Sequence, residues 1–333
     1  MNRWILPADT TGFADLRLEA APTPEPAAGQ VRVRVTALSI NARDQMILTG
    51  PFGRTPGQDL VPLSDLAGRI EAVGPGVSGW ASGDRVMTAH VPSWVDGRPP
   101  AFGIGPGSLG DPGVAAEQLV LDARRLIAIP DSLSDEEAST LQVAGVTAWN
   151  AVFGDHPVAA GERVLVIGSG GVSLFAAQLA RAAGAEVHAA VRSQPDDPRW
   201  EQLGVTGVTT TTEGWGGRFF DWTGGATKVV NSVGPGMLNE CLAALSSGGE
   251  VAMLGLYDLT PPALDGLSMI GKQTTVRGVA VGSVAMHRAL AAFMAQHQLH
   301  PVIGRRVPFS DLPQAYQLQG ASDLFGKTVI NVP

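Results

Sequence analysis

The chain has 333 residues, 44% of them apolar and 16% charged, with a formal net charge of −8. That length suits two domains with a large buried core. The acidic balance and the lack of any run of Lys and Arg argue against nucleic acid as a partner.

The first third reads as strands and turns. Met1–Leu6 meets Pro7 and Asp9 with no secretory pattern. Val31–Ile40 is rich in β-branched residues and alternates in places, so it is predicted as a strand. Asp65–Val73 and Arg85–Ala89 are further strands around the turns Gly74-Pro75-Gly76 and Ser82-Gly83-Asp84. His90–Pro112 breaks the pattern. It is crowded with Pro and Gly and carries Trp94, Phe102 and Leu109. A loop of that length with aromatics reads as a pocket wall or lid.

From about Asp131 helix and strand alternate, which predicts a parallel sheet covered on both faces. Ser134-Asp135-Glu136-Glu137 is a helix start, with Ser134 as N-cap and Glu137 at the capping-box position. Val164–Ile167 is a short buried strand, followed by Gly168-Ser169-Gly170-Gly171-Val172-Ser173. The next segment is helical, with Val172, Phe175, Ala176, Leu179 and Ala183 on one face. The uncharged stretch Val164–Ala180 is thus a strand and a helix, not a membrane span. Gly184 stops the helix, and Glu186–Val191 is the next strand.

Lys228–Ser232 and Gly249–Gly255 continue the strand series. Cys241, the only cysteine, sits at a helical core position and reads as a buried inert thiol. A single cysteine forms no intrachain disulfide, and a cytoplasmic location is the default. Past about Pro261 the alternation lapses. Val276–Val281 reads as a strand, Ala285–Gln298 as a helix and Thr328–Val332 as a final strand, a stretch expected to rejoin the first domain. His297 and His300 read as a solvated helix end rather than a metal site.

Val164–Val191 is a βαβ unit around a glycine turn, the arrangement that holds a dinucleotide pyrophosphate. Gly168 permits the tight turn, and Gly170 lets the backbone approach the phosphates. The helix from Gly171 points free N–H groups and its positive dipole end at the anion. Ser169 and Val172 complete the turn. Ser173 stands where the motif has its third glycine, and it is small enough to keep the helix near the strand. An ordinary glycine turn is the bland alternative, and the surrounding βαβ unit counts against it. The second strand ends in Arg192 and Ser193, with no carboxylate to take the ribose 2′-hydroxyl of NAD. A cation and a hydroxyl suit the 2′-phosphate of NADP. Asp196 and Asp197 weigh the other way, and a solvated loop arginine is the alternative for Arg192.

Several stretches resemble the medium-chain dehydrogenase/reductase superfamily, in its zinc-free quinone-oxidoreductase-like branch. They are Ala37-Leu38-Ser39-Ile40-Asn41-Ala42-Arg43-Asp44, Val61–Gly68, Val73–Val77, Gly83–Val86, Leu141–Trp149, the Gly168–Ser173 turn and Phe325-Gly326-Lys327. They run almost end to end in family order. Val91–Gly97 looks like the zinc-less alcohol dehydrogenase or quinone reductase subgroup. The resemblance implies an α/β fold, with a Rossmann doubly wound parallel sheet beside a β-rich GroES-like catalytic domain. It implies a division into residues 1–125, 126–265 and 266–333, with the last part returning to the catalytic domain. It also implies NADPH, with its nicotinamide in the cleft between domains, and a homodimer to which an edge strand near Val276–Val281 contributes.

Zinc-containing relatives place a cysteine where this chain has Asn41, and a histidine then a glutamate where it has Ser64 and Asp65. Their third ligand, a cysteine, falls near Val143 or Ala144. Asn, Ser and Val or Ala do not make a tetrahedral zinc site. The resemblance therefore implies hydride addition from NADPH to a quinone or an activated C=C bond, on a small apolar or aromatic substrate.

That chemistry needs a donor for the developing enolate oxygen. Asn41 is the first candidate, through its amide. Arg43 and Asp44 follow, with Asp44 ordering Arg43 through an ion pair or orienting a water. A helix-start network with no chemical role is the alternative for both. Ser64 and Asp65 are weaker candidates. Some relatives carry a tyrosine just after the Asn; here it is Ala42. Of the two tyrosines, Tyr257 and Tyr316, Tyr257 follows a strand end and reads as a pocket wall or a donor. By resemblance, Thr147 meets the nicotinamide ribose. Ser232, Gly234, Leu254, Gly255, Val281, Gly282 and Lys327 are further cofactor contacts, each with ordinary turn structure as the alternative. Trp94, Phe102 and Trp149 suggest a large apolar pocket. A zinc-independent alcohol or ketone oxidoreductase, and an NADPH-binding protein with a non-redox role, are the competing readings.

Overall fold

The computed structural model describes residues 1–50, 57–101, 105–108 and 110–333. The chain divides into two compact units, Met1–Val146 with Gly282–Pro333, and Thr147–Val281.

The first unit is built on a seven-stranded sheet. Its spine is Gln30–Ser39, where Val31, Val33 and Val35 are buried and the side chains between them are less so, the period of a half-buried strand. This strand pairs antiparallel with Asp65–Val73, Gln118–Asp122 and Lys327–Asn331. Ile303–Pro308 lies parallel to Lys327–Asn331, and Arg85–Thr88 and Leu126–Ala128 extend the other side. Two register shifts, at Arg32/Val33 and Val35/Ala37, bend the spine against its neighbour. Gly68 lies at this bend, where an added Cβ would come 2.3 Å from the Arg34 carbonyl oxygen. Val33, Leu38, Leu66, Ile70, Tyr316 and Ile330 belong to the core that this sheet covers.

The register of the spine gathers the polar residues. Ser39 lies opposite both Asp65 and Val329. The next residue, Ile40, donates its N–H to the Thr328 carbonyl at 3.2 Å. Asn41 then starts the helix Ala42–Thr49. Asn41, Asp65 and Lys327 therefore meet at one end of three adjacent strands.

The second unit is a six-stranded, wholly parallel sheet. Its order is Gly207–Thr210, Glu186–Val191, Arg163–Ile167, Ala226–Asn231, Leu245–Met253, Thr275–Gly278. The chain builds outward one way from Arg163–Ile167 and then returns to build the other way from Ala226–Asn231. The carboxyl ends of those two strands flank the topological switch point, where open α/β sheets bind ligands. The glycine turn leaves the first of them.

Both expected domain boundaries fall too early in the chain. Leu126–Ala128 is a strand of the first unit because it pairs with Arg85–Thr88, so that unit runs on to Val146. Thr275–Gly278 is the outer strand of the parallel sheet, so the return follows Val281. Such pairings join residues distant in sequence and leave no local mark. The helix after the glycine turn, Gly171–Ala182, also buries more than the expected stripe. Ser173, Leu174, Ala177 and Ala180 are buried, whereas Val172 and Ala183 are half-buried. Cys241 is fully buried, and burial pushes its thiol pKa up. Among the described residues no helix is long and apolar enough to cross a membrane.

Candidate active site

In the first unit, Asn41, Arg43, Asp44, Ser64, Asp65 and Lys327 are all buried. Asp44 folds back on the helix start, accepting the Asn41 N–H at Oδ2 (2.8 Å) and Arg43 Nη1 at Oδ1 (2.7 Å). Arg43 also donates from Nη2 to the Pro106 carbonyl at 3.0 Å. Burial raises the Asp44 pKa to about 6, against the opposing pull of Arg43.

Asp65 is the hub on the neighbouring strand. Its Oδ1 accepts Ser64 Oγ at 2.8 Å and its Oδ2 accepts the Val143 N–H at 3.3 Å, while Ser39 Oγ lies 3.5 Å from Oδ2 and donates to the Ser139 carbonyl at 2.9 Å. The Val143 N–H is presented by a single π-helical turn, Leu141–Gly145, a departure from α-geometry often found at functional sites. In the same turn Gln142 Nε2 donates to the Leu66 carbonyl. Just before Ser64, Leu63 holds a left-handed φ of 69°, a conformation that costs a non-glycine residue about 1 kcal/mol or more. Burial raises the Asp65 pKa, and the Lys327 charge is the largest opposing influence.

Lys327, expected by resemblance to contact the cofactor, lies in the same cluster of the first unit. It is buried, and its Nζ donates to the Ile40 carbonyl at 2.6 Å and to Asn41 Oδ1 at 2.5 Å. An ammonium can only donate, so the oxygen of the Asn41 amide must face it. That leaves Asn41 Nδ2 turned away, buried and without a hydrogen-bond acceptor. The amide lies near enough to Asp65 to favour its ionised form, yet does not reach hydrogen-bond geometry with it.

In the second unit, Gly168 takes φ 89° as the chain leaves its strand, and its N–H bonds the Ala190 carbonyl at 2.8 Å. Gly170 caps the helix from Gly171, and an added Cβ there would meet nothing within 4 Å. The turn thus presents bare backbone, helix N–H groups and open space. Ser173 does more than keep the helix close. Its Oγ lies 2.7 Å from the Ile167 carbonyl oxygen and 2.8 Å from Ser232 Oγ, which is itself 2.7 Å from that carbonyl, and the two hydroxyl protons serve two of these three contacts. The hydroxyl that replaces the third glycine ties the helix start to both strand ends at the switch point.

The other strand-end residues form a laced pair of loops. The Leu254 and Gly255 N–H groups both donate to the Asn231 carbonyl, and Asn231 Oδ1 accepts the Val233 and Gly234 N–H groups. Gly234 is forced by close approach: an added Cβ would lie 2.2 Å from the Asp258 carbonyl oxygen. Val281 holds a left-handed φ of 48°, unusual for a β-branched residue. Its carbonyl accepts Asn150 Nδ2 at 2.8 Å, and Arg277 Nη1 donates to Asn150 Oδ1 at 3.0 Å. Gly282 belongs to the first unit, where a Cβ would meet Val146 Cγ1 at 2.5 Å.

Arg192 and Ser193 are exposed beyond Val191. Asp197 is committed to Arg199, accepting its N–H, Nε and Nη2, and these bonds hold the carboxyl below its usual pKa. Asp196 is exposed. Thr147 is buried at the start of the second unit, and Trp149 is half-buried with its ring 4.5 Å from Phe153. Ser169 and Val172 lie on the turn itself.

Trp94 is a loop anchor in the first unit. It is buried, its indole donates to the Gly97 carbonyl, and its own carbonyl accepts the Val284 N–H at the start of the helix Val284–His297. Phe102 and Leu109 lie outside the described residues. Tyr257 is 62% exposed. Tyr316 is fully buried in the core of the first unit. His300 pairs with Glu137 at 2.8 Å and His297 packs on Phe293, and among the described residues no three His, Cys, Asp or Glu could hold a metal.

Two signals went unread in the sequence. The role of Lys327 depends on strand pairing, and the Phe325-Gly326-Lys327 match flagged the position without its purpose. The hub role of Asp65 depends on the π-turn, which has no sequence mark.

A parallel sheet with a glycine turn at its switch point, joined to an antiparallel unit with a buried polar cluster, defines a nucleotide-binding oxidoreductase. The alcohol dehydrogenase GroES-like domain matches residues 27–131, and the zinc-binding dehydrogenase family matches residues 171–296. A zinc-type alcohol dehydrogenase-like protein of Schizosaccharomyces pombe is 34% identical over 99% of both chains. The quinone oxidoreductase of Lama guanicoe is 30% identical over 93% of this chain and 91% of its own. The mycobacterial protein Rv1454c, solved with NADPH, superposes with a TM-score of 0.81 at 25% identity over 99% of this chain and 100% of its own. The chain belongs to the medium-chain dehydrogenase/reductase superfamily.

Proposed function

We propose that the protein is an NADPH-dependent, zinc-independent reductase of quinones or of the C=C bond of α,β-unsaturated carbonyls. The observation that carries this reading is the buried Asn41 Nδ2, a donor held on the far side of the amide from Lys327 that makes no hydrogen bond of ordinary geometry, with the Asp65 carboxylate beside the amide. A buried donor left unmade costs about 1–3 kcal/mol, and an arriving carbonyl or quinone oxygen removes that cost. As negative charge grows on that oxygen, the bond from Nδ2 strengthens, which is stabilisation specific to the transition state.

NADPH supplies a hydride from its nicotinamide when bound. Gly168, Ser169, Gly170, Gly171 and Val172 would hold its pyrophosphate, through backbone N–H groups and the open space over Gly170. Arg192 and Ser193 would take the 2′-phosphate, and the engagement of Asp197 by Arg199 removes part of the acidic objection. Ala42 offers no phenol, so solvent is proposed to protonate the second carbon.

Zinc does not fit the polar cluster. Asn41 Oδ1 is already bonded to a buried ammonium. At an effective dielectric of 20, a dication about 4 Å from that charge would be repelled by about 8 kcal/mol. Asn41, Ser64 and Asp65 also lack the imidazole and thiolate donors that zinc prefers.

We further propose a homodimer. Leu264, Leu267 and Ile270, just before the edge strand Thr275–Gly278 in the chain, are exposed, with Leu267 at 83% and Ile270 at 75%. The lone buried Cys241 fits a cytoplasmic protein.

Calorimetric titration with NADPH and NADH, followed by NADPH oxidation assays with enones, quinones and saturated ketones, tests the reading. Tighter binding of NADPH and turnover of enones or quinones are expected. Turnover of ketones alone would favour an alcohol or ketone oxidoreductase. Nucleotide binding with no acceptor across the panel would favour a non-redox role.

A further inference from the structure

We propose that Lys327 is a positioning residue. Its ammonium locks the Asn41 amide with Oδ1 on Nζ and Nδ2 on the far side, and its charge strengthens Nδ2 as a donor to the substrate oxygen. This rests on the reading of Asn41 as that donor.

The orientation follows from chemistry rather than from assignment of atoms. Nζ has three N–H groups and no lone pair, so the amide atom 2.5 Å away is the oxygen. The lysine is delivered rigidly. It opens the strand Lys327–Asn331, and its N–H bonds the Val302 carbonyl at 2.9 Å. The preceding Gly326 has φ 106°, and an added Cβ there would lie 2.3 Å from the Val302 carbonyl oxygen. Few side chains could replace that glycine without moving the lysine.

The hydrogen bonds of the ammonium distinguish positioning from plain charge burial. A lysine kept only to neutralise Asp44 and Asp65 would bond a carboxylate. Here burial lowers the Lys327 pKa and the charges of Asp65 and Asp44 oppose that by favouring the ammonium, while its hydrogen bonds go to the Ile40 carbonyl and the Asn41 amide. A cation on an amide oxygen pulls electron density from the nitrogen, making its N–H groups better donors. Hydrogen-bond chains strengthen one another by roughly 10–30% per bond. The chain ammonium, amide, substrate oxygen ends where negative charge develops. The nearby Arg43 cation is tied to Asp44 and Pro106.

The test combines Lys327→Met, Asn41→Ala and the double variant, each with thermal unfolding, NADPH affinity by fluorescence titration, and kcat and KM for an enone. Lys327→Met is expected to lower kcat roughly 10–100-fold, with NADPH affinity unchanged within about twofold. The double variant should be no slower than Asn41→Ala, because both changes act through one donor. Losses that multiply would overturn the proposal. So would a tenfold weaker NADPH affinity with kcat intact, since the lysine would then be serving the cofactor. If Lys327→Met does not fold, Lys327→Gln keeps an N–H for Oδ1 without the charge. A kcat roughly fivefold or more below the parent is then expected, and a parental kcat overturns the polarising role. If the parent turns over no acceptor, the functional reading fails, and crystal structures of the parent and a folded Lys327 variant decide the positioning role. The amide should leave its parental orientation, and an unmoved amide overturns the proposal.

Discussion

The Lys327 ammonium lies 2.5 Å from Asn41 Oδ1, across a sequence separation of 286 residues. Adjacent strands close that gap, through the pairing of Ser39 with Val329 and the bond from Ile40 to Thr328. The catalytic proposal depends on this closure, because it fixes which end of the Asn41 amide remains available.

Asp44 predicts an acid limb in the rate. Burial lifts its pKa to about 6. Above that pH the carboxylate accepts both Arg43 and the Asn41 N–H; below it, protonation weakens both bonds. The value of kcat/KM is expected to fall as pH drops through about 6. The stability term has the opposite sign. The folded group binds a proton more readily than an unfolded Asp near 3.8, so between 6 and 3.8 acidification shifts this term toward the native state. A pH–rate profile checks the first statement, and a flat profile across pH 5 to 7 contradicts it.

His287 predicts loss of stability in acid. It is fully buried, and burial, helped by the Arg288 charge, lowers its pKa to about 3. An unfolded histidine titrates near 6.5, so the unfolded chain takes up a proton that the native ring refuses. The neutral-ring contribution is complete above about pH 6.5 and is lost progressively as pH falls toward 3. Denaturant unfolding across that range should show a steeper acid decline in the parent than in His287→Gln, by about one proton. Equal slopes would contradict the assignment.

Much of the second unit was legible in the sequence, because a parallel sheet writes itself as alternating apolar runs and helices. The glycine turn and the buried Cys241 there, like the Ser134 cap in the first unit, are local patterns, and the structure contains them. The polar cluster was legible only as separate residues. Asn41, Arg43 and Asp44 share one segment, whereas Asp65 and Lys327 reach them through antiparallel register. The boundaries after Val146 and Val281 were hidden for the same reason, since Leu126–Ala128 and Thr275–Gly278 take their assignment from partner strands.

The nucleotide seat predicts a selective lesion at Gly170. Its φ is −78°, and an added Cβ meets nothing within 4 Å, so Gly170→Val should fold with little change in Tm. The new side chain would occupy the space assigned to the pyrophosphate. NADPH affinity is expected to fall at least about tenfold. Parental affinity in a folded Gly170→Val protein would remove the seat from this turn.

The exposed face at Leu267 and Ile270 predicts self-association. Leu267→Asp with Ile270→Asp should convert a dimer to a monomer in analytical ultracentrifugation, because two charges would be buried without partners. A monomeric parent would contradict the dimer.

The most direct measurement is NADPH oxidation with an enone by chelator-treated parent protein and Asn41→Ala, with NADPH affinity measured alongside. The account predicts turnover by the metal-stripped parent and a loss of about 100-fold in kcat for Asn41→Ala at unchanged NADPH affinity. Activity that appears only when zinc is restored, or an Asn41→Ala enzyme as fast as the parent, would contradict it.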